Sequence, residues 1–342
     1  VRALVVRLSS IGDVVHTLPA LAALRRQGWE AGWIVEPPAL PLLAESPFLD
    51  QVVTAPRARA FSGGGALAAL RALRERRYDV ALDFQGLWKS AGWARLSGAP
   101  RVVGYGRDGR REPPSALLVN ERVSPPPGRR HVIDENLALL TPLGIDAVGL
   151  REFPLPLSAE AVARVDDETR DLGGGPFVLL NPGGGWPSKL WPPERFGALA
   201  RGLAARGLAS LVTWGPGEEG LAERVASSSA GAARRCFPTT LLDYVELARR
   251  ARLVIAADTG PLHLACAVGT PVVALFGPTD PARNGPFAPG DVVVRREPSC
   301  APCYRRGCRR HVGIMEEIPV ADVLSAAERR LASSREHDAR AV

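Results

Sequence analysis

Apolar positions along the chain follow two alternating rhythms. Short unbroken runs, such as Ala3-Leu4-Val5-Val6, Phe177-Val178-Leu179-Leu180 and Leu253-Val254-Ile255-Ala256-Ala257, are of the kind a parallel sheet buries on both faces. Between them lie segments with helical period; residues 14–26, for example, are apolar at 14, 15, 18, 21, 22 and 24. In the first half this pattern predicts strands at 3–8, 33–35, 52–53, 79–84 and 101–105, and helices at 14–26, 41–44, 66–76, 87–96 and 132–143. Pro19 either kinks the first helix or begins its longer part. In the second half it predicts strands at 177–181, 209–214, 253–257, 272–276 and 292–294, and helices at 160–171, 193–206, 221–227, 241–249 and 320–331. Strand–helix alternation of this kind implies an α/β fold with doubly wound parallel sheets. Two Rossmann-like domains are expected, 1–158 and 159–333, facing one another across a cleft. Gly173-Gly174-Gly175 reads as a hinge, the last helix is free to pack back on the first domain, and 334–342 reads as a frayed tail.

Composition narrows the function. The 342 residues leave room for two cores, and the net charge of +7 comes almost wholly from Arg, since Lys occurs only at Lys89 and Lys189. A basic excess suits nucleotide phosphates or an anionic membrane face. No RNA-binding signature or aromatic platform accompanies it, which disfavours nucleic acid as a partner. No stretch approaches the roughly 20 apolar residues of a membrane span. The sequence enters a strand at once, without a signal peptide, so a cytoplasmic protein able to touch the membrane surface is expected. Cys300, Cys303 and Cys308 form C-x2-C-x4-C followed by His311. That spacing allows zinc, but the neighbouring arginines oppose a dication, and no metal site is expected.

Ligands of doubly wound sheets bind beyond the C-terminal strand ends. The conspicuous loops all fall there: 9–13, 85–89, 182–189, 215–219, 258–263 and 277–281. At 258–263 a buried strand turns directly into a helix, with Pro261 at a first-turn position. Free N–H groups at Thr259 and Gly260 suit a phosphate, flanked by Asp258 and His263; the alternative is a purely structural turn capped by Asp258. Gly183, Gly184 and Gly185 let backbone approach a ligand, and Ser188 and Lys189 follow, the lysine suited to pair with phosphate as a point charge. Asp13 either caps the first helix or, with its pKa raised by desolvation, acts as general base on a hydroxyl. His16 reads as structural. Gln85 and Lys89 stand where an acceptor could rest. Arg57, Arg59, Arg101, Arg107, Arg110 and Arg111, all assigned to loops, could receive an anionic acceptor or be merely solvated. Thr279 and Asp280 read first as a turn before Pro281, with binding of ligand hydroxyls as the alternative.

These segments carry a resemblance. Val5-Val6-Arg7-Leu8-Ser9-Ser10-Ile11-Gly12-Asp13, Asp83-Phe84-Gln85-Gly86-Leu87-Trp88-Lys89-Ser90, Asn181-Pro182-Gly183 with Trp186-Pro187-Ser188-Lys189, Asp258-Thr259-Gly260-Pro261-Leu262-His263 and Phe276-Gly277-Pro278-Thr279-Asp280-Pro281 resemble, in order, the lipopolysaccharide heptosyltransferases of glycosyltransferase family 9. The first two look closer to heptosyltransferase I, which acts on Kdo, than to heptosyltransferase II. The resemblance implies a GT-B fold and a metal-independent, inverting transfer from ADP-heptose, with no cofactor. It implies a Kdo-lipid A acceptor at the inner face of the cytoplasmic membrane. Asp13 would be the catalytic base, with Ser10, Gly12, Gln85, Lys89, Arg57 and Arg101 on the acceptor side. Gly183, Gly184, Gly185, Ser188, Lys189, Asp258, Thr259, Gly260 and His263 would hold the donor. Glu218, after the Trp214-Gly215 turn, would hold the nucleotide ribose. Some relatives have hydroxyl residues where this chain has Gly184 and Gly185, so backbone N–H groups would serve instead. Ile314 stands before Met315 where many relatives have another Cys, which further disfavours a metal.

Three rival readings remain. A dinucleotide oxidoreductase would want G-x-G-x-x-G after the first strand, and Ser9 to Asp13 lacks it. A non-catalytic nucleotide-binding module would bind nucleotide and consume no sugar. A family 9 enzyme of heptosyltransferase II type would use another sugar or acceptor.

Overall fold

The structure is a computed structural model describing residues 1–56, 64–128, 130–172, 175–303 and 313–340, with side chains through 333. Arg57, Arg59, Gly173, Gly174, Cys308 and His311 lie outside those residues. The chain divides into two compact units, Val1–Pro156 and Leu157–Val342, against an expected boundary after residue 158.

The first unit contains β1 (Arg2–Val6), β2 (Glu30–Val35), β3 (Gln51–Thr54), β4 (Val80–Asp83), β5 (Arg101–Tyr105) and β6 (Glu121–Val123). They form one parallel sheet in the order β3-β2-β1-β4-β5-β6. Its helices are α1 (Ile11–Val15), α2 (Leu18–Arg26), α3 (Gly65–Arg76), α4 (Trp88–Leu96) and α5 (Val132–Ala138). The core gathers Leu4, Val6, Ile34, Ala81 and Val102 from the strands with Leu73 and Trp93 from the helices. Residues 14–26 are thus two helices rather than one. Pro19 lacks an N–H to give to residue 15, so the chain starts afresh at Leu18 and places Pro19 in the first turn. The expected helix at 41–44 is a 3-10 turn, Pro37–Leu42, and 132–143 divides into α5 and the 3-10 turn Thr141–Leu143.

The second unit contains β7 (Phe177–Asn181), β8 (Ala209–Val212), β9 (Ala233–Arg235), β10 (Leu253–Ala257), β11 (Val272–Phe276) and β12 (Val292–Arg295). Their order, β12-β11-β10-β7-β8-β9, is also wholly parallel. The helices are α6 (Ala159–Thr169), α7 (Pro193–Ala204), α8 (Glu219–Ser228), α9 (Leu241–Arg250), α10 (Gly260–Ala267), α11 (Pro281–Asn284) and α12 (Val320–Arg340). Trp191, Phe196, Leu199, Val178, Ile255 and Val273 are fully buried in its core. α12 packs on α7, β11 and β12 of its own unit and runs past Ser333, where fraying was expected.

Both sheets reverse their winding once, between β1 and β4 in the first unit and between β7 and β10 in the second. Loops leaving adjacent strands on opposite faces open a crevice at such a point, which is where doubly wound sheets take ligands. The loops at 9–13 and 85–89 leave one switch point, and those at 182–189 and 258–263 leave the other.

Candidate active site

At the second unit's switch point, charge gathers around Asp258. Its carboxylate is buried, and its Oδ2 lies 2.6 Å from Lys189 Nζ and accepts from Thr279 Oγ1 at 2.7 Å. Its Oδ1 faces His263 Nε2 at 3.2 Å. Burial alone would raise the pKa of Asp258, but the His263 hydrogen bond and the Lys189 charge outweigh it and hold the carboxyl well below its usual range. Lys189 Nζ also donates to Asp258 O at 3.1 Å and lies 4.6 Å from the centre of the Trp186 ring. An ammonium has three donors; two are engaged by Asp258, which leaves one for an incoming anion.

The neighbouring backbone is shaped by close approach. A Cβ at Gly183 would lie 2.0 Å from Glu218 Oε2, and one at Gly184 would lie 2.7 Å from Thr259 Cγ2, so a side chain at either position must push that neighbour aside. Glu218 accepts from Gly184 N at 2.8 Å and from Gly215 N at 3.0 Å, which ties loop 182–189 to the turn after β8. Thr259 is the N-cap of α10, with Gly260 and Pro261 opening the helix. Ser188 Oγ and Asn181 Oδ1 are buried without a hydrogen-bond partner.

At the first unit's switch point, Asp13 is the third residue of α1. It accepts from Ser10 N at 3.1 Å and Ser10 Oγ at 2.9 Å, a capping box, and its other oxygen pairs with Arg7. The setting is an ion pair with about 30% of the side chain exposed. Arg7 is buried and also donates to Phe84 O, so the clamp is fixed to the end of β4. Gln85 accepts from Leu8 N at 2.9 Å and its amide reaches Ser9 Oγ at 3.5 Å, joining the two loops. Gly12 is buried inside α1.

Other expectations shift. Arg101 opens β5, at the sheet end opposite loop 9–13, and forks onto Glu121 at 2.6 and 2.8 Å, so it lies away from the crevice. Lys89 is half-exposed and pairs with Glu36 at 2.7 Å. Arg110 is not a solvated loop arginine: its side chain is fully buried and paired with Asp83, with Ser115 Oγ at 2.8 Å. Just before that anchor the chain makes a 3-10 turn, Arg107–Gly109. Asp280 caps α11 through Ala282 N, as the turn reading expected, whereas Thr279 turns back to Asp258. His16 is buried and packs edge-on to His131 at 5.4 Å. Among the described residues no group of three metal-ligating side chains occurs.

Arg7 and Trp186 thus touch the candidate residues without having been singled out from spacing, and Thr279, weighed as a ligand contact, bonds Asp258. Arg7 reads as a strand residue until β1 and β4 pair, and nothing local distinguishes it.

A family model for glycosyltransferase family 9 (heptosyltransferase) matches residues 66–312. Lipopolysaccharide heptosyltransferase 1 of Pseudomonas aeruginosa is 31% identical over 319 residues, covering 90% of this chain and 87% of that protein. Lipopolysaccharide heptosyltransferase 1 of Escherichia coli K12 is 29% identical, covering 86% of this chain and 93% of that one. The solved structure of E. coli heptosyltransferase WaaC with ADP superposes with a TM-score of 0.77 at 25% identity, covering 96% of this chain and 100% of that chain. WaaC with ADP-2-deoxy-2-fluoro heptose superposes at 0.74. The two doubly wound units are those of a GT-B glycosyltransferase, and the chain belongs to glycosyltransferase family 9, the heptosyltransferases.

Proposed function

We propose that this protein transfers heptose from ADP-L-glycero-D-manno-heptose to a Kdo residue of lipid A-linked inner core, with inversion, without a metal, at the inner face of the cytoplasmic membrane. The observation carrying the reading is the Asp258-held Lys189 beside the N-terminus of α10. That combination stabilises the charge that develops on a departing diphosphate. Glu218 would accept from the ribose, and Ser188 Oγ would donate to a phosphate oxygen. WaaC bound to ADP and to a fluoroheptose donor supports the choice of donor.

In this mechanism Asp13 takes the proton of the acceptor hydroxyl as its oxygen attacks the anomeric carbon and ADP leaves. Arg7 and Ser10 would aim the carboxylate. A base acting on a sugar hydroxyl supplies about 10²–10⁴-fold. Lys189 and the N–H groups at Thr259 and Gly260 do the work a cation would otherwise do.

The deciding experiment is incubation with ADP-heptose and Kdo-lipid A, in parallel with other nucleotide sugars and with chelator. ADP release and one new heptose linkage of inverted configuration, unaffected by chelator, are expected. Turnover only with another sugar would point to a different family 9 donor, and ADP binding without turnover would point to a non-catalytic module.

A further inference from the structure

We infer that the groove between α3 and α4 is the surface by which this protein docks on an anionic membrane. The inference rests on the reading that the acceptor is carried by a membrane lipid. The two helices leave a cavity of about 400 Å³ lined by Leu67, Leu70, Trp88, Lys89, Trp93 and Leu96, among others, and among the described residues none that lines it is acidic. Leu67, Trp88 and Leu96 are 52%, 46% and 49% exposed, three large apolar side chains opening on one groove. Isolated exposed apolar residues are ordinary; a contiguous set marks an interaction surface.

Charge decides the occupant. Along α3, Leu67, Leu70, Arg71 and Arg74 fall at i, i+3, i+4 and i+7, on one stripe. Along α4, Trp88, Gly92, Arg95 and Leu96 fall at i, i+4, i+7 and i+8, again on one stripe, and that helix contains no acid. Arg71, Arg74 and Arg95 are exposed and enter no ion pair among the described residues. Arg74 ties the helices together through Leu96 O at 2.9 Å. Apolar side chains that enter an acyl boundary, a tryptophan suited to the interface and flanking arginines that meet lipid phosphates are what an anionic bilayer surface takes. A protein partner would want acidic residues to match the rim. The groove begins three residues after Gln85, which holds loop 9–13, so a docked membrane would lie beside the Asp13 end of the first unit.

The test is flotation of the whole protein with phosphatidylglycerol-containing vesicles and with pure phosphatidylcholine vesicles. Wild type is expected to float with the anionic vesicles only, and with a blue shift in emission that Trp88→Phe removes. Leu67→Asp with Leu96→Asp, and separately Arg71→Glu with Arg95→Glu, are expected to weaken partition at least about tenfold, a factor equal to about 1.4 kcal/mol. Both double variants should keep the wild-type melting curve, ADP binding and transfer to a lipid-free Kdo acceptor. Wild type that stays soluble, variants that float like wild type, or self-association lost in the variants would overturn the inference. Failure of wild-type transfer to the lipid-free acceptor would instead refute the functional reading and leave the docking result standing.

Discussion

Lys189 Nζ lies 2.6 Å from Asp258 Oδ2, across the switch point of the second sheet. The loops after β7 and β10 are brought together there by strand pairing, Ala256 against Asn181. The pair gives the lysine a fixed position and a carboxylate that stays ionised. Replacing Lys189 by Ala should therefore weaken ADP binding at least about tenfold and cost about 3 kcal/mol of stability, because it leaves a buried charge short of a partner. Calorimetric titration and denaturant melts would check both parts, and unchanged affinity would remove Lys189 from the donor site.

Asp258 also sets an acid limit on stability. Its folded pKa is depressed, so its contribution is fully present above its unfolded value, about 4, and fades as pH falls toward the folded one. Melts at stepped pH should show wild type losing stability below about pH 4 by more than Asp258→Asn does. Parallel curves for the two proteins would show that the carboxylate is not held as the structure indicates.

Asp13→Asn should keep ADP affinity and lose about a hundredfold or more in turnover. Since Ser10 holds the carboxylate in a capping box and Arg7 pairs with its other oxygen, a melting curve must accompany the kinetics. Wild-type turnover in a folded variant would refute the assignment. Arg7→Lys, which keeps a charge but loses the fork, should lower kcat more than it changes ADP affinity.

Gly183→Ala should act through Glu218. The added Cβ displaces that carboxylate, which then releases the N–H groups of Gly184 and Gly215. Donor affinity should fall severalfold, with Glu218→Gln showing the same direction. A Gly183→Ala protein with wild-type donor affinity would mean the Glu218 bridge does not shape the site.

Arg110→Ala should cost the first unit about 3–5 kcal/mol, since it leaves Asp83 buried and unpaired. Asp83→Leu with Arg110→Met should recover much of that loss, because removing both charges removes the desolvation cost as well. Urea melts of the single and double variants would separate these outcomes.

Much of this protein is legible in its sequence. Apolar runs such as Leu253–Ala257 mark buried parallel strands because both faces of such a strand meet helices. Glycines at 183 and 184 mark close backbone approach because a Cβ there would press on Glu218 or Thr259. Lys189, Asp258, Thr259 and His263 were marked by their place after strand ends. What escaped were short polar edge strands, Glu121–Val123 and Ala233–Arg235, which lack a hydrophobic signal because one side faces no neighbour. Arg101 and Arg110 were misjudged for the opposite reason: sequence shows a charge but not the buried or distant carboxylate that claims it.

The chain alone therefore determined the α/β class, the loops that leave the switch points and the residue types placed on them, since these depend on local periodicity and turn geometry. Only the tertiary structure decided which charges meet: Arg7 with Asp13, Thr279 with Asp258, Asp83 with Arg110. Ion pairs and hydrogen bonds form over a few ångströms in space, and strand order, which no local pattern encodes, sets which distant residues come that close.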